Sequence, residues 1–287
     1  MQAKKLRKLL NEPGIICAPG AYDAWSARLV EMAGFPAVYM TGYGVSVTSI
    51  GLPDIGLVSM TEMALHAKNM ASAVDRPLIA DGDNGYGGVL NVVRTVQEYE
   101  KGGVAAIQLE DQVLPKRCGH MEGKQLIAKE EMVAKVRAAV HGRKSPDFVI
   151  IARTDARGVN GFDDAIDRAR AYAAAGADVI FVEAPKSVEE MKEVTRRVNK
   201  PLMANMVEQG QTPFLAAKEL EELGYKIVIY PASTLFTASK AMIKMLQLLK
   251  EKGTNAGMWD DIIGFPEFNK LLKVDEMRAL EKELAGN

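Results

Sequence analysis

Residues 99–110 read YEKGGVAAIQLE. A helical segment stops at Gly102-Gly103, where glycine can take the left-handed conformation that closes a helix before the chain turns. The apolar run VAAIQLE (104–110) follows at once and becomes acidic only at Glu110. Helix stop, buried strand and polar end together are one beat of a βα repeat. The strand signal occurs eight times: GIICAP (14–19), AVYMT (37–41), PLIAD (77–81), VAAIQLE (104–110), DFVIIAR (147–153), ADVIFVE (177–183), KPLMANM (200–206) and YKIVIYP (225–231). EMAGF, YAAAGA and LEELGY repeat the glycine stop before three of the other runs.

Eight strands alternating with eight helices predict an α/β chain closed into a (β/α)8 TIM barrel, although an open doubly wound sheet shares the periodicity. Ser59-x-x-Glu62 and Ser187-x-x-Glu190 read as capping boxes, and Thr212-Pro213 as a helix start. Beyond the eighth helix, WDDIIGFPEFNKLL and VDEMRALEKEL continue the helical pattern. The expected organisation is a single barrel domain over residues 1–287, with 233–287 forming the eighth helix and a C-terminal extension. Terminal helices of this kind suit an oligomer.

Composition narrows the function classes. The 287 residues are 48% apolar and 25% charged, with a net charge of −1, which is the balance of a globular protein without a positive field for nucleic acid. Two cysteines, Cys17 and Cys118, are too few for a disulfide framework and point to the cytoplasm. The start MQAKKLRKLL lacks the apolar run of a signal peptide. The uncharged stretch 32–53 is broken by four Gly and two Pro and reads as strand plus loop, not a membrane span. His66 and His141 fall in helical segments, and Cys17 in the core run IICA.

The strands turn polar at their last residues: Thr41, Asp81, Glu110 with Asp111, Arg153 with Asp155, Glu183 and Asn205. In a barrel these ends meet at one mouth, where active sites lie. Acidic groups ending several strands would repel one another unless a cation with an anionic ligand bound between them. Asp81 and Asp83 in IADGDNGYGG are two apart, and Asp54 in GLPDIG offers a further carboxylate. Hard oxygen donors without His or Cys spacing favour Mg²⁺, with Mn²⁺ a substitute. The alternative is that DNG is an ordinary turn.

EDQVLPKRCGH (110–120) joins two kinds of chemistry. Glu110 ends a strand, and the loop after it surrounds Cys118 with Lys116, Arg117 and His120. Positive neighbours stabilise a thiolate and fit the thiol for proton transfer. The alternative is a chance cysteine in a basic surface loop.

DGDNGYGG, EDQVLPKRCGH, ARTDAR, VEAP and ANMVEQG, in this order at strand ends, resemble the isocitrate lyase and phosphoenolpyruvate mutase superfamily. The likeness runs from APGAYDAWSARL at residue 18 to FPEFNKLL near the end. It implies a (β/α)8 barrel, Mg²⁺, a mobile gating loop carrying catalytic Cys118, and a homodimer that exchanges helices and pairs into a homotetramer. YMTGYG is similar to a Tyr-x-Ser-Gly-Gly segment, so Tyr39, Thr41, Gly42 and Tyr43 are expected around the 2-oxo-acid half of a substrate. Tyr39 or a metal-linked carboxylate would be the base. The resemblance makes Asp81 a direct metal ligand, with Asp54, Asp83 and Glu110 acting through water. It makes Arg153, Glu183 and Asn205 binders of substrate carboxylate and hydroxyl groups.

Within the superfamily the chain resembles the branch of 2,3-dimethylmalate lyases and 2-methylisocitrate lyases. Pro231 in IYPAS fits the lyase pattern, and NMVEQG with DIIGFPEFNKLL leans toward the dimethylmalate side. The implied activity is cleavage of a 2-hydroxy dicarboxylate to pyruvate and a propionate-type acid. Methylisocitrate cleavage, carboxyphosphonoenolpyruvate phosphonomutase or oxaloacetate chemistry, and a non-catalytic dicarboxylate-binding barrel are the alternatives. The expected partners are a small acid and a second copy of the chain, with no nucleic acid or membrane.

Overall fold

Eight parallel strands form in the order in which the sequence presents them: β1 (Ile16–Ala21), β2 (Val38–Met40), β3 (Leu78–Asp81), β4 (Ala106–Glu110), β5 (Val149–Thr154), β6 (Val179–Val182), β7 (Leu202–Asn205) and β8 (Ile227–Tyr230). Each pairs with the next, and β8 returns to β1, so the sheet is a closed barrel. This computed structural model describes residues 2–119, 121 and 123–286. The chain comprises two units, Met1–Leu235 and Phe236–Asn287.

In the first unit the helices are α1 (Gln2–Asn11), α2 (Ala24–Met32), α3 (Gly42–Ile50), α4 (Met60–Ala73), α5 (Val89–Lys101), α6 (Lys129–Gly142), α7 (Ala156–Val159), α8 (Phe162–Ala174), α9 (Val188–Arg197) and α10 (Ala217–Leu223). The glycine stops behave as read: Gly34, Gly103, Gly176 and Gly224 all have positive φ. Alternate strand residues face two cores. Ile16, Tyr39, Ile79, Ala106, Ile151, Phe181, Met203 and Ile229 fill the barrel interior, and their neighbours pack outward against the helices.

Leu6 of α1, fully buried, joins the interior cluster and closes the floor. Arg7 secures that plug, donating to the carbonyls of Pro146, Asp147 and Phe148 and pairing with Asp178 at 2.9 Å.

Three local expectations change. The segment read as strand plus loop contains α3, begun by Thr41, whose hydroxyl accepts from Gly44 N, and ended by left-handed Gly51. Ser59 makes the full reciprocal box with Glu62, but Ser187 caps α9 alone because Glu190 turns to Arg157 and the Lys186 amide. The helix expected at Thr212-Pro213 starts later, at Ala217, and Thr212 is buried in the loop before it.

Helix α11 (Ser233–Lys252) starts in the first unit, where Thr234 Oγ1 donates to Gly20 O at 2.7 Å. The second unit continues with a short 3₁₀ turn, α12 (Phe265–Leu271) and α13 (Val274–Ala285). The expected helix across WDDIIGFPEFNKLL is therefore interrupted, because Gly264-Phe265-Pro266 starts a new one. Among the described residues no helix is long and apolar enough to cross a membrane.

Candidate active site

Strand register brings the polar ends together. Glu110 of β4 lies beside Arg153 of β5, and Asp81 of β3 beside Gln108 of β4. Strict alternation turns Asp81, Glu110, Arg153, Glu183 and Asn205 to the same side as the interior residues two positions earlier. One layer below, the Tyr39 hydroxyl donates to Gln108 Oε1 at 3.1 Å, and Gln108 Nε2 donates to Asp81 Oδ1 at 3.4 Å. The sequence reading missed Gln108. Its signal was available, since it precedes Glu110 by two and must share its face. Burial, reinforced by Asp81, holds the Tyr39 phenol well above the ordinary tyrosine range, so it serves as a proton donor in a hydrogen bond.

The acidic cluster has an unexpected cation at its centre. Lys116 Nζ lies 2.6 Å from Asp54 Oδ1 and 2.7 Å from Asp83 Oδ1, with all three side chains buried. Burial alone would lower the lysine pKa, but Asp83, Glu110, Asp54 and Asp81 raise it well above the usual value. Lys116 thus turns inward to the carboxylates, instead of serving only the thiol two residues on. Asp83 adopts a left-handed φ of 46°, and its amide donates to Asp81 Oδ1 at 3.1 Å. Gly42 makes room for this cluster: a Cβ there would stand 2.5 Å from Asp81 Oδ2.

Even with Lys116 present, negative charge is in excess. Burial raises the pKa of Asp81, of Asp83 to about 6, and of Glu110 well above the ordinary carboxylate value. Glu110 Oε1 is buried with no hydrogen-bond partner among the described residues. An orphaned hard oxygen in an acidic pocket fits a divalent cation. Among the described residues no three acidic, His or Cys side chains converge closely enough to ligate one ion together.

On the other side of the mouth, Arg153 donates from Nε and Nη2 to both oxygens of Asp155, at 2.9 and 3.0 Å. Its guanidinium also lies 3.4 Å from Glu110 and 3.3 Å from Glu183, and rests over the Phe181 ring. Asn205 Nδ2 donates to Glu183 Oε2 at 3.1 Å. Pro231 follows β8 and packs on β1 so closely that a Cβ on Gly20 would lie 2.2 Å from its carbonyl. Thr41, Gly42 and Tyr43 begin α3, whose positive dipole end favours an anion.

Residues 111–119 and 123–127 form two limbs that pair beside this mouth. Val113 N donates to Gln125 O at 2.9 Å and Ile127 N to Asp111 O at 3.0 Å, joining the two limbs. Gln112 shapes the tip by accepting from Arg117 N and donating to Arg117 O. Cys118 N donates to Asp54 O at 3.2 Å. The next residue sits directly on the barrel groups: a Cβ on Gly119 would be 2.2 Å from Arg153 Nη2 and 2.8 Å from Glu183 Oε2. Lys124 Nζ donates to Gly119 O and pairs with Asp155. Asp155 was expected at this mouth with Arg153, without a role; Lys124 was not expected and has no local spacing signal. His120 lies outside the described residues.

Comparison with known proteins agrees in extent and in kind. The family described as phosphoenolpyruvate phosphomutase matches residues 6–250. The chain is 50% identical to 2,3-dimethylmalate lyase of Eubacterium barkeri over 283 residues, 99% of this chain and 98% of that one. It is 45% identical to 2-methylisocitrate lyase of Halalkalibacterium halodurans, over 99% of this chain and 93% of the other. A crystal structure of 2,3-dimethylmalate lyase superposes with a TM-score of 0.93 at 38% identity, covering 99% of this chain and 96% of that one. A phosphonopyruvate hydrolase in complex with oxalate and Mg²⁺ superposes with a TM-score of 0.88 at 30% identity, covering 98% of each.

Proposed function

The chain belongs to the isocitrate lyase and phosphoenolpyruvate mutase superfamily, and on that premise we propose that it is a Mg²⁺-dependent lyase. Its substrate would be a 2-hydroxy dicarboxylate of the 2,3-dimethylmalate type, cleaved to pyruvate and propionate. The observation that carries this reading is the loop bearing Cys118 seated over a mouth in which Glu110, Arg153 and Glu183 meet.

Asp81 would hold the ion directly, with Asp54, Asp83 and Glu110 reaching it through water. Bound there, Mg²⁺ would supply positive charge to the oxygens of the 2-oxo-acid half. The amides at the start of α3 and the Arg153 guanidinium bind the substrate's carboxylates. Glu183 and Asn205 orient its hydroxyl and carboxylate groups. The hydroxyl proton passes to the uncommitted oxygen of Glu110, and the C2–C3 bond breaks as the C2 oxygen becomes a carbonyl. The bonding pair stays on C3 as an enolate, which the cations of the loop and Arg153 stabilise. Cys118 gives its thiol proton to C3, and the proton held at Glu110 restores the balance through solvent.

Tyr39 keeps its proton and steadies Gln108 beneath the reacting atoms. Lys116, Arg117 and His120 are proposed to act with the loop, Lys116 by drawing it down onto Asp54 and Asp83. Gly42 admits the substrate close to the backbone, while Thr41, Tyr43 and Pro231 shape the pocket walls.

Assembly with a second copy is part of the same reading. Trp259, Phe265 and Leu284 of the C-terminal unit are 70%, 80% and 77% exposed, large apolar side chains that burial in a homodimer or homotetramer would cover. A cytoplasmic setting agrees with neither Cys17 nor Cys118 forming a disulfide among the described residues.

A coupled assay for pyruvate release tests the activity on 2,3-dimethylmalate, 2-methylisocitrate and phosphonopyruvate, and an assay for oxalate release tests it on oxaloacetate, each with and without EDTA. The proposal expects EDTA-sensitive release greatest from 2,3-dimethylmalate. Release from phosphonopyruvate alone, or from none of the four, would overturn it.

A further inference from the structure

Asp155 is fully buried and gathers groups from both the barrel and the loop. From β5, Arg153 grips both of its oxygens. From the outgoing limb of the loop, the Gln112 side chain favours its ionised form. From the returning limb, Lys124 Nζ lies 3.2 Å from Oδ1, with the lysine side chain 5% exposed. The same ammonium donates to the carbonyl of Gly119, the residue next to Cys118. Gly119 in turn sits over Arg153 and Glu183 with no space for a side chain.

We propose that Asp155 and Lys124 form a clasp that couples seating of the Cys118 loop to the orientation of Arg153, so that both are positioning residues for the reaction. This inference rests on the functional reading above, which puts Cys118 and Arg153 in one site. A loop tethered only at its own base would open without disturbing the barrel. Here the loop's lysine and the barrel's arginine share one carboxylate, so release of either alters the hydrogen bonding of the other. Although burial opposes its charge, Arg153 and Lys124 lower the Asp155 pKa, and the clasp stays ionised at neutral pH.

The test is the rate at which iodoacetamide alkylates Cys118, followed by peptide mass spectrometry in the full-length protein, with Cys17 as the internal control for folding. Oxalate with Mg²⁺ is the probe ligand. In wild type, Cys118 reacts slowly and oxalate slows it further. Lys124→Met is expected to raise the ligand-free rate about tenfold through loop opening and to abolish most of the oxalate protection. Removing a positive charge should by itself slow a thiol's reaction, so an increase reports the loop and not the local field. Lys124→Arg should restore the rate to near wild type. Asp155→Asn should match Lys124→Met and also weaken oxalate binding in calorimetry, since Arg153 loses its partner. Wild-type Cys118 reactivity in Lys124→Met, with and without oxalate, would overturn the clasp. If oxalate fails to bind wild type while Lys124→Met still unlocks Cys118, the clasp stands and the oxo-acid reading falls.

Discussion

Glu110 and Asp111 are neighbours in the chain, both buried, and each faces an arginine, yet they belong to different regions of the molecule. Asp111 points outward from β4 into the seam with α8. There it accepts from the hydroxyls of Thr154 and Tyr172 at 2.7 and 2.8 Å, from Asp155 N at 2.9 Å and from Arg168 at 3.3 Å. Glu110 points into the mouth and keeps an oxygen without a partner among the described residues. A carboxylate surrounded by donors is structural; one left short of them is poised for a ligand.

The sharpest way to break that contrast is to neutralise each carboxylate in turn. Glu110→Gln should cut kcat by about 10³-fold, within the range of a lost acid–base group, while leaving the Tm of the metal-free protein at or above wild type. Asp111→Asn should do the reverse, costing about 3 kcal/mol in urea denaturation because Arg168 loses its buried counterion. Equal stability losses in the two variants would erase the distinction.

A second contrast concerns pH. The Asp83 pKa, raised by burial to about 6 in the folded protein, lies above its ordinary unfolded value, so between the two the native state holds more protons. Its contribution is therefore favourable at low pH and is lost as pH rises through about 6. Compared with Asp83→Asn, metal-free wild type should lose stability by roughly 1–2 kcal/mol between pH 4.5 and 7. Mg²⁺ competes with those protons, so its stabilisation of wild type should grow over the same interval. Thermal shifts with EDTA and with Mg²⁺ measure both, and a flat difference would count against the acidic cluster as a cation site.

The smallest expected effect lies at the helix starts. Ser187→Ala should cost about 1 kcal/mol by removing a cap. Ser59→Ala should cost somewhat more, because Glu62 loses its reciprocal partner too.

The two regions also differ in how well the sequence reveals them. Period-two strands ending at Asp81, Glu110, Arg153, Glu183 and Asn205 are local patterns, and the barrel follows from them. The same rule, pressed one step further, would have found Gln108. Lys124 and Asp155 are 31 positions apart by number, and only the folded loop brings them together at 3.2 Å. The carboxylate partners of Lys116 are hidden for the same reason. Proximity in sequence assigned the lysine to Cys118, but its long side chain reaches inward, where two buried carboxylates hold it more strongly than solvent would. Helix α3 was hidden because GYGVSVTSI has poor helix propensity, offset here by the Thr41 cap and by burial of Val45 and Ser46.

The central claim is that the loop thiol delivers the proton after C–C cleavage. It is tested most directly by pyruvate release from 2,3-dimethylmalate in Cys118→Ser, with folding checked by circular dichroism. The account predicts turnover slowed by about 10²-fold or more, as a hydroxyl is a far weaker acid than a thiol. Turnover within about threefold of wild type, well short of the span expected for a lost general acid, would contradict it.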